Sequence, residues 1–113
     1  MIDDLSFEPH RQEALFGGEG SVFVWDLLGS KKAAPFGAVL ACELEAGGRV
    51  GRHVQEHMPE IVIGLSGDGV AIVDGDAQEL GPGAVVHLPL GSVLAIENVS
   101  PEMPLRYLII KAR

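Results

Sequence analysis

The chain has 113 residues and a formal net charge of −8; it is 47% hydrophobic and only 21% charged, with fifteen glycines and seven prolines. That length suits one domain with one modest core, and the apolar content excludes a disordered chain. The acidic balance excludes the basic footprint on which nucleic-acid binding relies and discourages docking on anionic membranes.

Cys42 is the sole cysteine, so no intramolecular disulfide can form. The start, Met1-Ile2-Asp3-Asp4, lacks the basic-then-apolar order of a secretory leader. No apolar run approaches the ~20 residues of a membrane-spanning helix. The expected compartment is the cytoplasm.

In chain order, residues 1–20 read as a short irregular arm of the same domain, with His10 solvated and Gly17-Gly18-Glu19-Gly20 as its punctuation. Residues 21–113 read as one β domain. Ser21 to Leu28 is rich in β-branched and aromatic residues and predicts a strand. Phe36 to Glu45 predicts the next: Leu40, Cys42 and Leu44 alternate with Glu43 and Glu45, the pattern of one buried and one wet face. Val50 to Glu56 follows, then a Met58-Pro59 corner and a strongly apolar strand from Glu60 to Ser66. The signals Gly67-Asp68-Gly69 and Asp74-Gly75-Asp76 predict tight hairpins around Val70–Val73 and Ala77–Leu80. Ala84–Leu88, Val93–Glu97 and Leu105–Lys111 complete about nine strands. Short strands at even spacing, without an amphipathic helix, predict an all-β antiparallel barrel or sandwich. Some strands, such as Ile61 to Leu65, are apolar on both faces, which predicts a homodimer covering the outer face.

One stretch is more specific. Gly47 is followed after five residues by His53, then by Gln55, Glu60 and Gly67; further on, Gly83, Pro89, Gly91, Leu94 and Asn98 recur at fixed spacing. The first set resembles the cupin motif G-x5-H-x-H-x3,4-E-x6-G, with Gln55 in place of its second histidine. The second resembles G-x5-P-x-G-x2-H-x3-N, with Leu94 in place of its histidine. Together they span Gly47 to Asn98. The resemblance implies a jelly-roll barrel, the double-stranded β-helix, with a central pocket.

It also implies a metal site on the motif positions. His53 and Glu60 match the expected ligands and are the candidate catalytic residues. Gln55 offers only a neutral amide, and Leu94 offers no donor. His57 and His87 are the candidates to restore the set if either reaches the pocket. A divalent transition metal (iron, zinc, manganese or nickel) and no metal at all are both consistent with these residues. His53 and Gln55, two apart on a strand, share a side, and Glu60 on the returning strand can face them.

Two functions follow. One is a small cupin that binds a small molecule through His53, Gln55 and Glu60, with Leu94 as an apolar wall. The other is a metal-dependent enzyme of dioxygenase or isomerase type.

Overall fold

The computed structural model describes residues 5–113; the Met1–Asp4 start lies outside the described residues. Ten strands follow one another: β1 His10–Glu13, β2 Ser21–Asp26, β3 Phe36–Leu44, β4 Arg49–Val54, β5 Glu60–Ser66, β6 Gly69–Val73, β7 Asp76–Leu80, β8 Val85–Leu88, β9 Val93–Asn98 and β10 Leu105–Ala112. They form a six-stranded sheet in the order β1-β2-β3-β10-β5-β8 and a four-stranded sheet in the order β4-β9-β6-β7. Every pairing is antiparallel. The all-β jelly roll expected from the sequence is the observed architecture. Among the described residues, no helix is long and apolar enough to cross a membrane.

Local chemistry explains the hairpins. Val73 pairs with Asp76, which leaves a two-residue turn in which Asp74 (φ 50°) and Gly75 (φ 87°) both take the left-handed conformation. Aspartate followed by glycine suits such a turn, and its twist matches that of the strands.

The two sheets bury an apolar core that includes Leu44, Val62, Leu80, Leu88, Leu105 and Ile96. Leu44, Leu80 and Leu105 are fully buried outside the lining of the cavity that the inward rows also enclose.

The arm is more ordered than the irregular segment expected. Residues His10–Glu13 pair with β2 in the register His10↔Val24 to Glu13↔Ser21, and the Ser21 hydroxyl donates to the Glu13 carboxylate. A 3-10 turn at Leu15–Gly17 then crosses to the four-stranded sheet, where Glu19 bridges Arg49. The approach is so close that a Cβ on Gly18 would stand 1.9 Å from the Arg49 carbonyl oxygen, and one on Gly51 would stand 1.9 Å from that of Phe16. Two glycines therefore let the arm lie flat on β4 and wall off one side of the barrel.

Candidate functional site

The site begins with an irregularity in β4. Val50 pairs with Ile96 and His53 with Leu94, so Gly51 and Arg52 together oppose the single residue Ala95. This β-bulge reverses the alternation. Without it, Val50 and His53 would face opposite sides of the sheet; with it, both line the cavity.

The cavity holds about 350 Å³ and is walled mostly by apolar side chains, among them Val22, Leu40, Val50, Leu94, Ile96 and Ile109. His53, Glu60 and Lys111 form one polar cluster in its lining, and Gln12 and Asp26 line it as well. The arm adds Leu15 and Phe16 and, at the rim, the exposed His10.

His53 is fixed by two contacts. Its Nδ1 lies 3.1 Å from the Gly51 carbonyl oxygen. A carbonyl only accepts, so Nδ1 carries the hydrogen and Nε2 is left open. The Phe16 ring stacks on the imidazole with centroids 4.1 Å apart and planes 14° apart. Phe16 reaches this position from a left-handed backbone (φ 53°). Opposite His53 on β9 stands Leu94, 1% exposed, an apolar wall where a fourth donor would be needed.

Glu60 opens β5 and points inward with a side chain only 1% exposed. Directly across the ladder on β10 stands Lys111, whose Nζ lies 3.3 Å from Glu60 Oε2. Burial raises the Glu60 pKa above 4.5; Lys111 and then His53 offset part of that rise. Lys111 was missed by sequence reasoning. Its direction follows from the observed register of β10, where Tyr107, Ile109 and Lys111 form one row.

Tyr107 and Cys42 face each other across β10 and β3 and line the cavity wall. Burial, reinforced by the charge of Glu60, pushes the Cys42 thiol up to about 12. Burial likewise raises Tyr107 well above its ordinary value. Cys42 is thus the small core hydrophobe that the sequence suggested, although it borders the cavity.

The four motif positions meet only in part. His53, Glu60 and Leu94 line the cavity. Gln55 is 3% exposed but lies just beyond β4, in an adjoining groove of about 180 Å³ that also includes Phe16, His53 and Lys111. Its main chain is tied to the β8–β9 turn: its N–H donates to the Ser92 oxygen at 2.9 Å, and its oxygen accepts from Gly91 N–H at 2.8 Å. The side-chain Nε2 has no hydrogen-bond partner among the described residues.

The two substitute histidines do not reach the cavity. His57 sits in the β4–β5 loop, its side chain 87% exposed and 3.8 Å from Glu56. His87 pairs with Ile61 and is exposed, between the buried Val86 and Leu88. Alternation sends those two inward and His87 outward, into an outer groove with Phe36, Ile61 and Ile110.

Asn98, which closes the second motif, is structural. Its Nδ2 donates to the carbonyls of Leu44, Glu45 and Met103 at 2.8–3.1 Å, and its Oδ1 accepts from Ser100 N–H at 3.0 Å. It ties the β3–β4 turn to the loop before β10.

A model of the cupin domain matches residues 40–111 of the chain. The chain belongs to the cupin family. Similar solved structures include a predicted oxalate decarboxylase of Thermotoga maritima, at 29% identity and a TM-score of 0.86, covering 95% of this chain and 93% of that one. A cupin-like protein of the same organism is 23% identical with a TM-score of 0.78, covering 97% of this chain and 81% of the other. A cupin-superfamily sugar phosphate isomerase of Silicibacter pomeroyi is 20% identical with a TM-score of 0.72, covering 93% and 71%. The last two likenesses show the fold alone. No curated protein matches the chain.

Cupins often bind a metal, and the donors here fit one poorly. Among the described residues, no three His, Cys, Asp or Glu side chains come together as a ligand set. Of the two motif ligands that remain, His53 keeps its in-plane Nε2 free, but Lys111 places a cation 3.3 Å from Glu60. A divalent ion at Glu60 would meet the Lys111 charge with few ligands to offset the repulsion.

Proposed function

We propose that this cupin binds a small, largely apolar organic molecule in its barrel without a metal. The observation that carries the reading is the Lys111–Glu60 pair, 3.3 Å apart in the polar cluster of the cavity lining. The ammonium neutralises the carboxylate that would otherwise ligate an ion. Leu94 converts a ligand position into apolar wall. An apolar cavity with a few convergent polar groups is the usual form of a small-molecule site. His53 Nε2 and Glu60 are its polar anchors; a ligand with a weakly acidic proton would find in them a base within the pocket.

The test is ligand binding in the presence of chelator. Protein dialysed against EDTA is titrated with an apolar fluorescent probe, then supplied with iron, zinc, manganese or nickel. Binding that survives EDTA and ignores added metal supports the proposal. Binding that requires one of these metals overturns it.

A second reading, a metal-dependent enzyme holding its ion through His53 and Glu60 with help from Gln55, draws on the 29% identity to the Thermotoga protein. The same titration separates the two.

The proposal extends to a homodimer in a reducing cytoplasm. Phe36 (49% exposed), in one groove with Ile61 and Ile110, and Val85 (62%), paired with Ile63, leave apolar surface on the six-stranded sheet. A two-fold partner presents the same patch and covers it. Light scattering showing a dimer that Val85→Glu converts to monomer supports this, and a monomeric wild type contradicts it.

A further inference from the structure

We propose that the groove formed by Gln55, Lys111 and His53 is an anion subsite, which holds the carboxylate of a small monocarboxylic acid whose apolar body lies in the cavity. This rests on the reading that the cavity binds a small molecule, and adds the chemical class.

Gln55 is the first observation. The residue is 3% exposed, and its Nε2 is buried with no hydrogen-bond partner among the described residues. A buried donor left unpaired is costly, and such groups in native proteins are ordinarily satisfied. The missing partner is an acceptor.

Lys111 is the second, independent observation. It borders the same groove as Gln55 and also lines the cavity. An ammonium carries three donors; Lys111 Nζ stands 3.3 Å from Glu60 Oε2, an oxygen with no hydrogen-bond partner among the described residues, so at most one donor is directed at Glu60 and the others remain for an incoming oxygen. His53 borders both spaces, but with Nδ1–H donated to Gly51 its Nε2 is an acceptor, so the donors to the anion are Gln55 and Lys111. Phe16, stacked on His53, also borders both spaces. The proposal places the head of one molecule in the groove and its body in the barrel, with these shared residues at the junction.

The charge available limits the ligand. One ammonium already shared with Glu60 and one neutral amide cannot compensate a dianion in a buried site, and Asp26 adds a further carboxylate to the cavity lining. Glu56 and His57 at the groove's edge are 70% and 87% exposed and largely screened by water. A single carboxylate fits this balance; a phosphate monoester or a dicarboxylate does not. The apolar walls favour a hydrocarbon body, and a volume of about 350 Å³ limits it to about one ring or a short chain.

The experiment compares 3-phenylpropionate with its amide, 3-phenylpropanamide, by NMR titration of the full-length protein. The Gln55 side-chain NH2 resonances are followed together with the amides of Leu94 and Ile96. The expected result is that the acid binds about tenfold tighter or more and shifts the Gln55 NH2 signals, whereas the amide shifts the cavity signals alone. Gln55→Leu and Lys111→Met, each checked for a native spectrum, are expected to abolish the preference for the acid. If acid and amide bind equally with cavity shifts, the anion subsite is overturned while the pocket reading stands. The same holds if the acid is preferred but neither variant changes that preference. If neither compound shifts the cavity signals at about 10 mM, the pocket reading falls and takes the subsite with it.

Discussion

Replacing Lys111 by Met removes the cation beside a carboxylate whose side chain is 1% exposed. Breaking a buried ion pair by deleting one partner costs about 3–5 kcal/mol when the other charge is stranded. Two features place the expected loss at or just below the floor of that range, about 2–3 kcal/mol at pH 7. The Lys111 side chain is itself 30% exposed, and Glu60 can escape the penalty by taking up a proton. The escape gives the prediction its sign. Burial raises the folded-state pKa of Glu60 above 4.5, and Lys111 is the largest influence holding it down. Without Lys111 the folded state holds the Glu60 proton to still higher pH than the unfolded chain does. Stability then falls as pH rises from 4.5 through the raised pKa, and returns as pH is lowered. Urea denaturation of wild type and Lys111→Met at pH 7 and pH 5 measures this. The deficit of the variant is expected to shrink at pH 5, by no more than about 1.4 kcal/mol per pH unit. The double variant Glu60→Leu/Lys111→Met removes both charges and is expected near wild-type stability. A loss below about 1 kcal/mol at pH 7, or a deficit that ignores pH, would refute the reasoning.

Three further outcomes are expected. Leu94 lies directly opposite His53, so Leu94→His combined with Lys111→Met should raise nickel or zinc affinity by about tenfold or more, measured by calorimetry; an unchanged affinity contradicts the inward placement. Gly51→Ala puts a methyl 1.9 Å from the Phe16 oxygen, so it should cost about 1–3 kcal/mol and move the His53 ring resonances as the stacked phenyl withdraws. Cys42, with its thiol pushed to about 12, is about one part in ten thousand thiolate at pH 8, so it should resist a thiol reagent in native buffer and react at once in urea.

Much of the barrel was legible because its signals are local. Glycine and proline punctuation marks the turns, and the motif spacing groups His53, Gln55, Glu60 and Leu94, of which all but Gln55 line the cavity. What stayed hidden depends on tertiary contact or on parity that the sequence does not reveal. β10 runs Leu105-Arg106-Tyr107-Leu108-Ile109-Ile110-Lys111, apolar on both faces, so nothing in its composition marks Lys111 as inward. β8 is equally mute about His87, whose direction follows only from Val86 and Leu88 being buried. The bulge at Gly51–Arg52 shifts parity by one residue, and short-range pattern carries no sign of it. Phe16 belongs to an arm that looks irregular in sequence, and its place over His53 depends on Gly18 and Gly51 meeting backbone from distant parts of the chain. Gln55 shares strand parity with His53, yet the end of β4 at Val54 and the ties of Gln55 to Ser92 and Gly91 carry it into the side groove.

The most direct test of metal-free binding is elemental analysis of protein purified without chelator, then exposed to one equivalent each of iron(II), manganese, zinc and nickel and desalted. Retention far below one ion per chain is predicted, with His53→Ala indistinguishable from wild type. One tightly held ion per chain, lost in His53→Ala, would contradict it and restore the Glu60 carboxylate to the role of ligand.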